Sequence, residues 1–307
     1  MYNEISANKR NTWLLLFCFI SFFLALGYGY GYIETRDPKA SIGGMGIFGI
    51  VAIIYATIAY FSAGKITLTI ARAKRIEKKD QPELYRTVEN LAITAGIPTP
   101  PIYLIDDTAL NAFATGRDPK HAAVAITKGL LEKLEKPELE GVMAHELSHV
   151  VNYDIRIQCL TVALVGLVAL VSDIFLRSIT YGGRVRAPGN NRRGNGGGIL
   201  ILLGIVLALL SPLIAKLIHL AVSRQREFLA DASGCLLTRY PDGLARALKK
   251  IAADKEPLEV ANKATAHMYI ENPLRNEQGM KWMNGLFSTH PPIEERIARL
   301  QALNAPS

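Results

Sequence analysis

Two long stretches without a charged residue restrict what the chain can fold into. They cover residues 13–33 and 42–63, and a short polar turn at 34–41 joins them. An α-helix rises 1.5 Å per residue, so about 20 apolar residues cross the ~30 Å hydrocarbon core of a bilayer. Both stretches reach that length. We therefore predict that residues 1–64 form a transmembrane hairpin, with helices at about 13–33 and 42–63.

The chain as a whole is too polar to lie entirely in a membrane. Charged residues make up 20% of the 307 residues and hydrophobic residues 50%, which also argues against a disordered chain. Cys18, Cys159 and Cys235 show neither CxxC nor Cys/His spacing, so a disulfide scaffold and a cysteine zinc ribbon are excluded. The composition indicates a soluble part combined with several membrane spans.

Lysines and arginines predict how the hairpin is oriented. Lys9 and Arg10 precede it and six basic residues follow between 65 and 79, whereas the turn carries only Arg36 and Lys39. Basic residues accumulate on the cytoplasmic side of membrane proteins. We therefore expect the N-terminus, and the chain from residue 65 onward, to be cytoplasmic.

A second pair of hydrophobic stretches lies at 157–172 and 199–215, with a basic, glycine-rich loop at 178–198 between them. If both stretches cross the membrane, the arginines of this loop lie outside the cell, against the positive-inside rule. The alternative is a helix pair that enters only partway or packs on the soluble domain. The sequence thus predicts about four hydrophobic helices and leaves the crossing of the second pair open.

The remaining segments predict a soluble domain in two parts, 65–156 and 221–307, separated by the hydrophobic pair at 157–220. Apolar residues in these parts recur mostly at helical spacing, and two short runs are rich in β-prone residues. We predict a mostly helical fold with a small β-sheet. The predicted elements are helices at 80–95, 224–237 and 293–303, a helix opened by Pro137, and strands at 102–105 and 122–126.

The segment His145-Glu146-Leu-Ser-His149 carries the clearest chemical signal. Residues i and i+4 share one face of a helix, so both imidazoles are able to reach one Zn²⁺, with Glu146 beside them to take a proton from water. Two surface histidines on an ordinary helix are the alternative. Apolar neighbours such as Val142 and Met143 predict a buried helix instead, where a histidine needs a polar partner.

A catalytic zinc site needs a third protein ligand and one position left for water. Glu227, downstream of the hydrophobic pair, is the best candidate. Asp231 follows it by four residues, so on a helix Glu227 binds the metal while Asp231 accepts the N–H of a ligating histidine. In the alternative interpretation, both carboxylates pair with Arg224 and Arg226 on a solvated helix.

Four motifs together resemble the HtpX proteases. They are His-Glu-Leu-Ser-His at 145–149, Ser-Arg-Gln-Arg-Glu-Phe-Leu-Ala-Asp at 223–231, Asn-Ala-Phe-Ala at 111–114 and Thr-His-Pro-Pro-Ile-Glu-Glu-Arg-Ile at 289–297. HtpX enzymes are bacterial membrane zinc metalloproteases related to the CAAX prenyl proteases and the mitochondrial Oma-type proteases. The resemblance implies a gluzincin-like protease domain facing the cytoplasm from the inner membrane, a quality-control role on misfolded membrane proteins under stress, and self-cleavage.

The resemblance also assigns roles to residues. It implies one zinc ion per chain held by His145, His149 and Glu227. Glu146 is the implied general base, and Asp231 is implied to contact a ligating histidine without binding the metal itself.

Further roles in the same resemblance are accompanied by simpler alternatives. Asn111, Ala112, Phe113 and Ala114 match a segment that lines the substrate cleft, although Phe113 is as well explained as a core residue. His290 matches a histidine that hydrogen-bonds the oxyanion, or else it is a turn residue. Arg224 is expected to stabilise the metal site, or else it is an ordinary charged residue on the surface.

Two classes of function therefore compete. The first is a zinc endopeptidase acting on protein substrates, and the second is a non-enzymatic membrane protein whose zinc site is closed by a fourth protein ligand. A nucleic-acid partner is not expected, because the net charge of +8 comes from basic residues next to the hydrophobic stretches and no nucleic-acid motif is present.

Overall fold

A computed structural model of the chain describes residues 2–167, 224–254, 256–259, 265, 268–270 and 291–303. These residues form a mostly helical fold with one four-stranded mixed sheet, as the sequence predicts.

The N-terminal hairpin consists of α1 (Tyr2–Thr35) and α2 (Pro38–Ile70). Asp37 caps α2 by accepting a hydrogen bond from the backbone N–H of Lys39 at 2.9 Å, and Pro38 occupies the first turn, where a missing N–H costs nothing. Both helices are long and apolar enough to cross a membrane. The two predicted N-terminal helices are present, and their crossing of a membrane as a hairpin stays a prediction.

Both helices extend beyond the apolar stretches because their ends dock on the rest of the protein. Asn8 and Thr12 of α1 are buried, as are Thr67 and Leu68 of α2. The glycines of α2 divide between two faces. A side chain at Gly44 or Gly49 collides with α1, whereas Gly43 and Gly46 face open space.

The sheet contains β1 (Lys74–Arg75), β2 (Ile102–Ile105), β3 (Ala112–Gly116) and β4 (Ala122–Thr127) in the order β1-β2-β4-β3. β2 and β4 are parallel, and the two outer pairs are antiparallel. β3 is therefore an edge strand. One face of the sheet packs on the hairpin, and the other packs on helices of the soluble part.

Seven helices complete the described part. The N-terminus of α5 is fixed by the carboxylate of Glu138, which accepts a hydrogen bond from the backbone N–H of Glu135 at 2.8 Å. Of these helices, α4 and α8 are not among those predicted from the sequence. The helices are α3 (Pro82–Ala95), α4 (Lys128–Lys133), α5 (Lys136–Val151), α6 (Asp154–Leu167), α7 (Arg224–Thr238), α8 (Pro241–Ala253) and α9 (Ile293–Ala302).

The second predicted hydrophobic pair lies largely beyond the described residues. Its first stretch begins within α6, which turns away from α5 by 81°. The stretch at 199–215 and the loop at 178–198 lie outside the described residues. Two membrane-length helices are thus present in the described part, and four spans remain a prediction.

Candidate metal centre

The two histidines of the motif lie on α5, in the middle of the helical core. His145 and His149 are 1% and 4% exposed, and the helix around them is buried on nearly all sides. Their Nε2 atoms are 3.2 Å apart. The alternative of two surface histidines is therefore contradicted by burial.

α7 crosses α5 closely enough to bring a carboxylate to these histidines. A Cβ atom at Gly234 would lie 3.0 Å from the backbone nitrogen of His145, so only glycine permits this approach without a shift. Two helical turns before Gly234 is Glu227, which is 2% exposed. Its Oε2 lies 3.7 Å from Nε2 of His145, and its Oε1 lies 3.6 Å from Nε2 of His149.

The spacing of these atoms fits a tetrahedral metal ion. One ligand atom from each of His145, His149 and Glu227 lies within 4.8 Å of the other two. Zinc bonds of ~2.0–2.1 Å place tetrahedral ligand atoms about 3.3 Å apart, close to the spacings seen here. Two imidazoles and one carboxylate are also a donor set that zinc prefers.

A carboxylate behind each histidine fixes its orientation. Asp231 Oδ1 lies 2.9 Å from Nδ1 of His145, and Asp154 Oδ2 lies 2.9 Å from Nδ1 of His149. The two carboxylates therefore keep the proton of each imidazole on Nδ1, and both Nε2 atoms point to the candidate site. The i, i+4 spacing from Glu227 predicts this position for Asp231, whereas the position of Asp154 depends on the sharp turn between α5 and α6 and is not evident from the sequence.

The buried ionisable groups influence one another's charge. Burial opposes the charge of His149, but the hydrogen bond to Asp154 and the negative charge of Glu227 raise the pKa of His149 to about 9. Burial also opposes ionisation of Asp231, yet Arg296 and His145 lower the pKa of Asp231 to about 2. The carboxylate of Asp231 thus stays ionised behind the candidate ligand.

Arg296 is the main site residue that the sequence analysis missed. Its side chain is 1% exposed, and its Nε and Nη2 donate hydrogen bonds of 2.9 and 2.7 Å to the two oxygens of Asp231. Its Nη1 lies 3.7 Å from Oε2 of Glu227. A signal was present in the sequence: Arg296 lies on the same helix face as the buried Ile293 and Leu300.

A residue of the N-terminal helix also reaches the centre. Nδ2 of Asn8 donates hydrogen bonds to Asp154 Oδ1 at 2.6 Å and to the backbone carbonyl of Asn152 at 2.9 Å. Asn8 is 2% exposed. The membrane hairpin is thus connected to His149 through Asp154.

Glu146 lies between α5 and the edge strand β3. Burial raises the pKa of the Glu146 carboxyl above its usual range, although the nearby histidines and a hydrogen bond from the backbone N–H of Ala114 oppose the shift. The pKa of a general base is most useful when it lies near the working pH. The direction of the shift suits that role.

The predicted substrate segment coincides with β3 and the residue before it. Phe113 is 1% exposed and packs edge-on against Tyr269 at 5.3 Å between ring centroids, which favours the core alternative for Phe113 itself. The backbone N–H of Ile270 donates to the carbonyl of Ala112 at 3.2 Å and to Oδ1 of Asn111 at 3.1 Å. A segment of the chain itself therefore covers the edge of β3 at Ala112.

The outcome differs for the two further candidates, Arg224 and His290. Arg224 is exposed at the first described residue of α7, whereas Arg226 is buried. His290 lies outside the described residues. The structure brings together His145, Glu146, His149, Glu227 and Asp231.

Comparison with known proteins identifies the family. The profile of peptidase family M48 matches residues 78–304. The chain belongs to peptidase family M48.

Proteins with the printed name "Protease HtpX homolog" support the same assignment. The M48 chain is 46% identical to the one from Tropheryma whipplei (strain Twist) over 99% of this chain and 98% of that protein. It is 43% identical to the one from Dictyoglomus turgidum over 98% of this chain and 94% of that protein. It is also 40% identical to the one from Listeria monocytogenes serotype 4a, over 98% of this chain and 99% of that protein. The protein is a metalloprotease with membrane helices.

A solved structure also matches this M48 chain. It is the crystal structure of S. mikatae Ste24p, with 22% sequence identity and a TM-score of 0.48, and the match covers 90% of this chain and 61% of that chain.

Proposed function

We propose that this M48 protease is a zinc-dependent endopeptidase whose single zinc ion is held by His145, His149 and Glu227. The observation that carries the proposal is the convergence of three buried ligand atoms, with a carboxylate orienting each histidine from behind. A ligand set positioned in this way binds metal without rearranging.

Zinc bound there would polarise the scissile carbonyl and lower the pKa of a water molecule. Glu146 accepts the proton of the attacking water and then delivers it to the leaving amine. The raised pKa of Glu146 supports both steps, since the group must gain and lose a proton in each cycle. Asp231 and Asp154 stabilise the two histidines in the tautomer that keeps Nε2 free for the metal.

The substrate backbone is proposed to pair with the edge of β3. Edge strands bind extended peptides through main-chain hydrogen bonds. Because Ile270 already occupies the carbonyl of Ala112, pairing begins at Ala114, whose backbone N–H also contacts Glu146. Asn111 holds the covering segment in place, and Phe113 supports the strand from the core.

Two further residues, His290 and Arg224, have proposed roles. His290 is proposed to donate a hydrogen bond to the oxyanion of the transition state, on the basis of its motif. Arg224 is proposed to support the site through its charge, although its exposure also agrees with ordinary surface charge.

The proposed setting is the bacterial cytoplasmic membrane, crossed several times, with the protease domain facing the cytoplasm. The basic residues that flank the hairpin support this orientation. The proposed substrates are misfolded or damaged membrane proteins, and the enzyme is expected to cleave itself. Buried contacts between the hairpin and the protease core, such as that between Asn8 and Asp154, support a site close to the membrane surface.

The alternative of a closed, structural zinc site requires a fourth protein ligand. Among the residues that the structure describes, the metal-ligating group consists of His145, His149 and Glu227. Membership of a peptidase family favours the open, catalytic site.

A cleavage assay on the detergent-purified protein tests the proposal. Wild type and Glu146→Gln are compared for bound zinc and for cleavage of unfolded casein. We expect equal zinc in both and cleavage by the wild type alone, with Glu140→Gln as a control that keeps both properties. Cleavage that persists in Glu146→Gln contradicts the role of Glu146.

A further inference from the structure

A cavity of about 280 Å³ lies where α2 leaves its apolar stretch and meets the β3–β4 turn and the start of α6. None of the candidate metal ligands lines it. Tyr60 and Phe61 form its rim on α2, and Gly116 and Leu160 contribute to its walls.

The cavity is strongly basic. Lys65, Arg117, Lys120 and Arg156 line it, and no carboxylate does so among the residues that the structure describes. The nearest acidic partner is Asp118, whose oxygens lie 3.5 Å from Nε of Arg117 and 2.7 Å from Nδ1 of His121. This carboxylate contacts Arg117 and His121, whereas four cationic side chains line the cavity, so positive charge remains for a ligand.

Its arginines are held in place rather than free to move. The Arg156 guanidinium lies 5.7 Å from the ring centroid of Tyr60, and its Nε donates a hydrogen bond to the carbonyl of Arg117 at 2.5 Å. The Arg117 guanidinium lies 5.2 Å from the ring centroid of Phe61. Such contacts order the side chains before a ligand arrives, so less entropy is lost on binding.

The backbone around the cavity is also tightly packed. A Cβ atom at Gly64 would lie 3.2 Å from Cα of Gly116, so α2 and β3 approach each other through two glycines. Gly116 has a φ of 133° and starts the turn towards β4, a conformation that other residues rarely adopt. The relative position of Lys65 and Arg117 is thereby fixed.

The cavity lies at the level of a membrane surface. Exposed apolar side chains on α2 extend from Ile42 to Phe61, which is about 29 Å of helix and matches the ~30 Å hydrocarbon core. The basic lining begins one turn later, at Lys65. Trp13 lies at the same end of the hairpin as Phe61, as expected for an aromatic belt at the interface.

A second cavity, of about 430 Å³, continues from the first along the hairpin. It is an apolar groove between α1 and α2, lined by Trp13, Phe17, Ile53 and Thr57 among others, and it shares Tyr60 and Phe61 with the basic cavity. A basic pocket at headgroup level joined to an apolar groove at acyl-chain level matches the two ends of a phospholipid.

We propose that the two cavities bind one anionic phospholipid. Its phosphate contacts Arg117, Arg156 and the neighbouring lysines through charge-assisted hydrogen bonds, and an acyl chain lies in the apolar groove. The site is separate from the proposed chemistry at the metal centre, because neither cavity is lined by a candidate metal ligand.

The test measures lipid retention by the full-length protein in detergent, using native mass spectrometry. Phosphatidylglycerol is compared with phosphatidylcholine, which carries the same phosphate but no net charge. The variant Lys65→Gln/Arg117→Gln/Lys120→Gln removes three charges from the cavity. The control Lys78→Gln/Lys79→Gln/Arg86→Gln removes three exposed charges that do not line it.

We expect the wild type to retain phosphatidylglycerol and the cavity variant to retain less of it by a factor of about ten or more. The control variant is expected to retain nearly as much phosphatidylglycerol as the wild type. Metal content, measured in parallel, shows that each variant is folded. A second variant, Thr57→Trp, fills the apolar groove without changing charge, and we expect it to weaken retention as well. Full retention by both cavity and groove variants overturns the proposal.

Two further arms distinguish the sources of the phosphate. Equal retention of phosphatidylcholine and phosphatidylglycerol by the wild type contradicts selection for an anionic lipid. Complete displacement of the lipid by millimolar inorganic phosphate indicates that the pocket takes a free phosphate, and this also contradicts the proposal. Retention that resists phosphate supports a joint site for headgroup and chain.

Discussion

Asp154 Oδ2 lies 2.9 Å from Nδ1 of His149, although the two residues belong to helices that diverge by 81°. The turn between α5 and α6 thus places a carboxylate directly behind a candidate metal ligand. Asp231 is related to His145 in the same way, but from α7. Each histidine of the motif is therefore oriented by a different helix.

Removal of this carboxylate is expected to weaken metal binding. For Asp154→Ala we predict a loss of about 10–100-fold in zinc affinity, since carboxylates behind a ligating histidine fix its tautomer and raise its basicity. Competition with a fluorescent zinc chelator measures the affinity. The matched control is Asp106→Ala, which removes an exposed carboxylate paired with Lys128. Equal affinity in both variants contradicts the role of Asp154.

Removal of the contact between the membrane hairpin and Asp154 is predicted to lower zinc affinity as well, but by less than Asp154→Ala. Asn8→Ala removes the amide that donates to Asp154 at 2.6 Å. A single buried hydrogen bond contributes about 1 kcal/mol, so we expect zinc affinity to fall by about fivefold. Asn90→Ala, an exposed change in α3, serves as the control. An Asn8→Ala protein with wild-type affinity refutes a connection between hairpin and metal centre.

Arg296 is predicted to be essential for stability. Arg296→Met removes two hydrogen bonds and the cationic partner from the buried Asp231 carboxylate, which then keeps its contact with His145, and breaking a buried ion pair typically costs about 3–5 kcal/mol. Arg299→Met, one turn later on α9, removes a 57% exposed arginine paired with Glu295, for which we expect at most about 1 kcal/mol. Thermal unfolding in detergent compares the two variants. Similar unfolding temperatures would show that the contact between Arg296 and Asp231 is not needed.

The sequence predicted those features that depend on local spacing. The hairpin follows from two uncharged stretches, and the sharing of one helix face by His145 and His149 follows from i, i+4 spacing. Glu227 and Asp231 were recognised in the same way, because both project from one helix.

The features that the sequence did not reveal depend on packing between distant segments. Asn8 and Asp154 are 146 residues apart in the chain, and Arg296 and Asp231 are separated by 65. No local pattern specifies such pairs. The cover of Ile270 over the edge of β3 is another example, because its partner Ala112 belongs to a different part of the chain.

The close crossing of α5 and α7 gives a prediction that opposes helix propensity. Alanine is ordinarily favoured over glycine inside a helix by about 1 kcal/mol. At Gly234, however, the added Cβ lies 3.0 Å from the backbone of His145, so we expect Gly234→Ala to lower both stability and zinc affinity. Gly43→Ala, which meets open space, is expected to be neutral or stabilising. Unfolding temperature and zinc content decide between these outcomes.

The central claim is that Glu227 completes the metal site with His145 and His149. Its most direct test is the zinc content per chain, measured by elemental analysis of the purified wild type, Glu227→Ala and the exposed control Glu259→Ala. We predict about one zinc per chain in the wild type and the control, since three protein ligands hold a catalytic zinc, and loss of most of it in Glu227→Ala. A Glu227→Ala protein that retains its full zinc content would contradict the account.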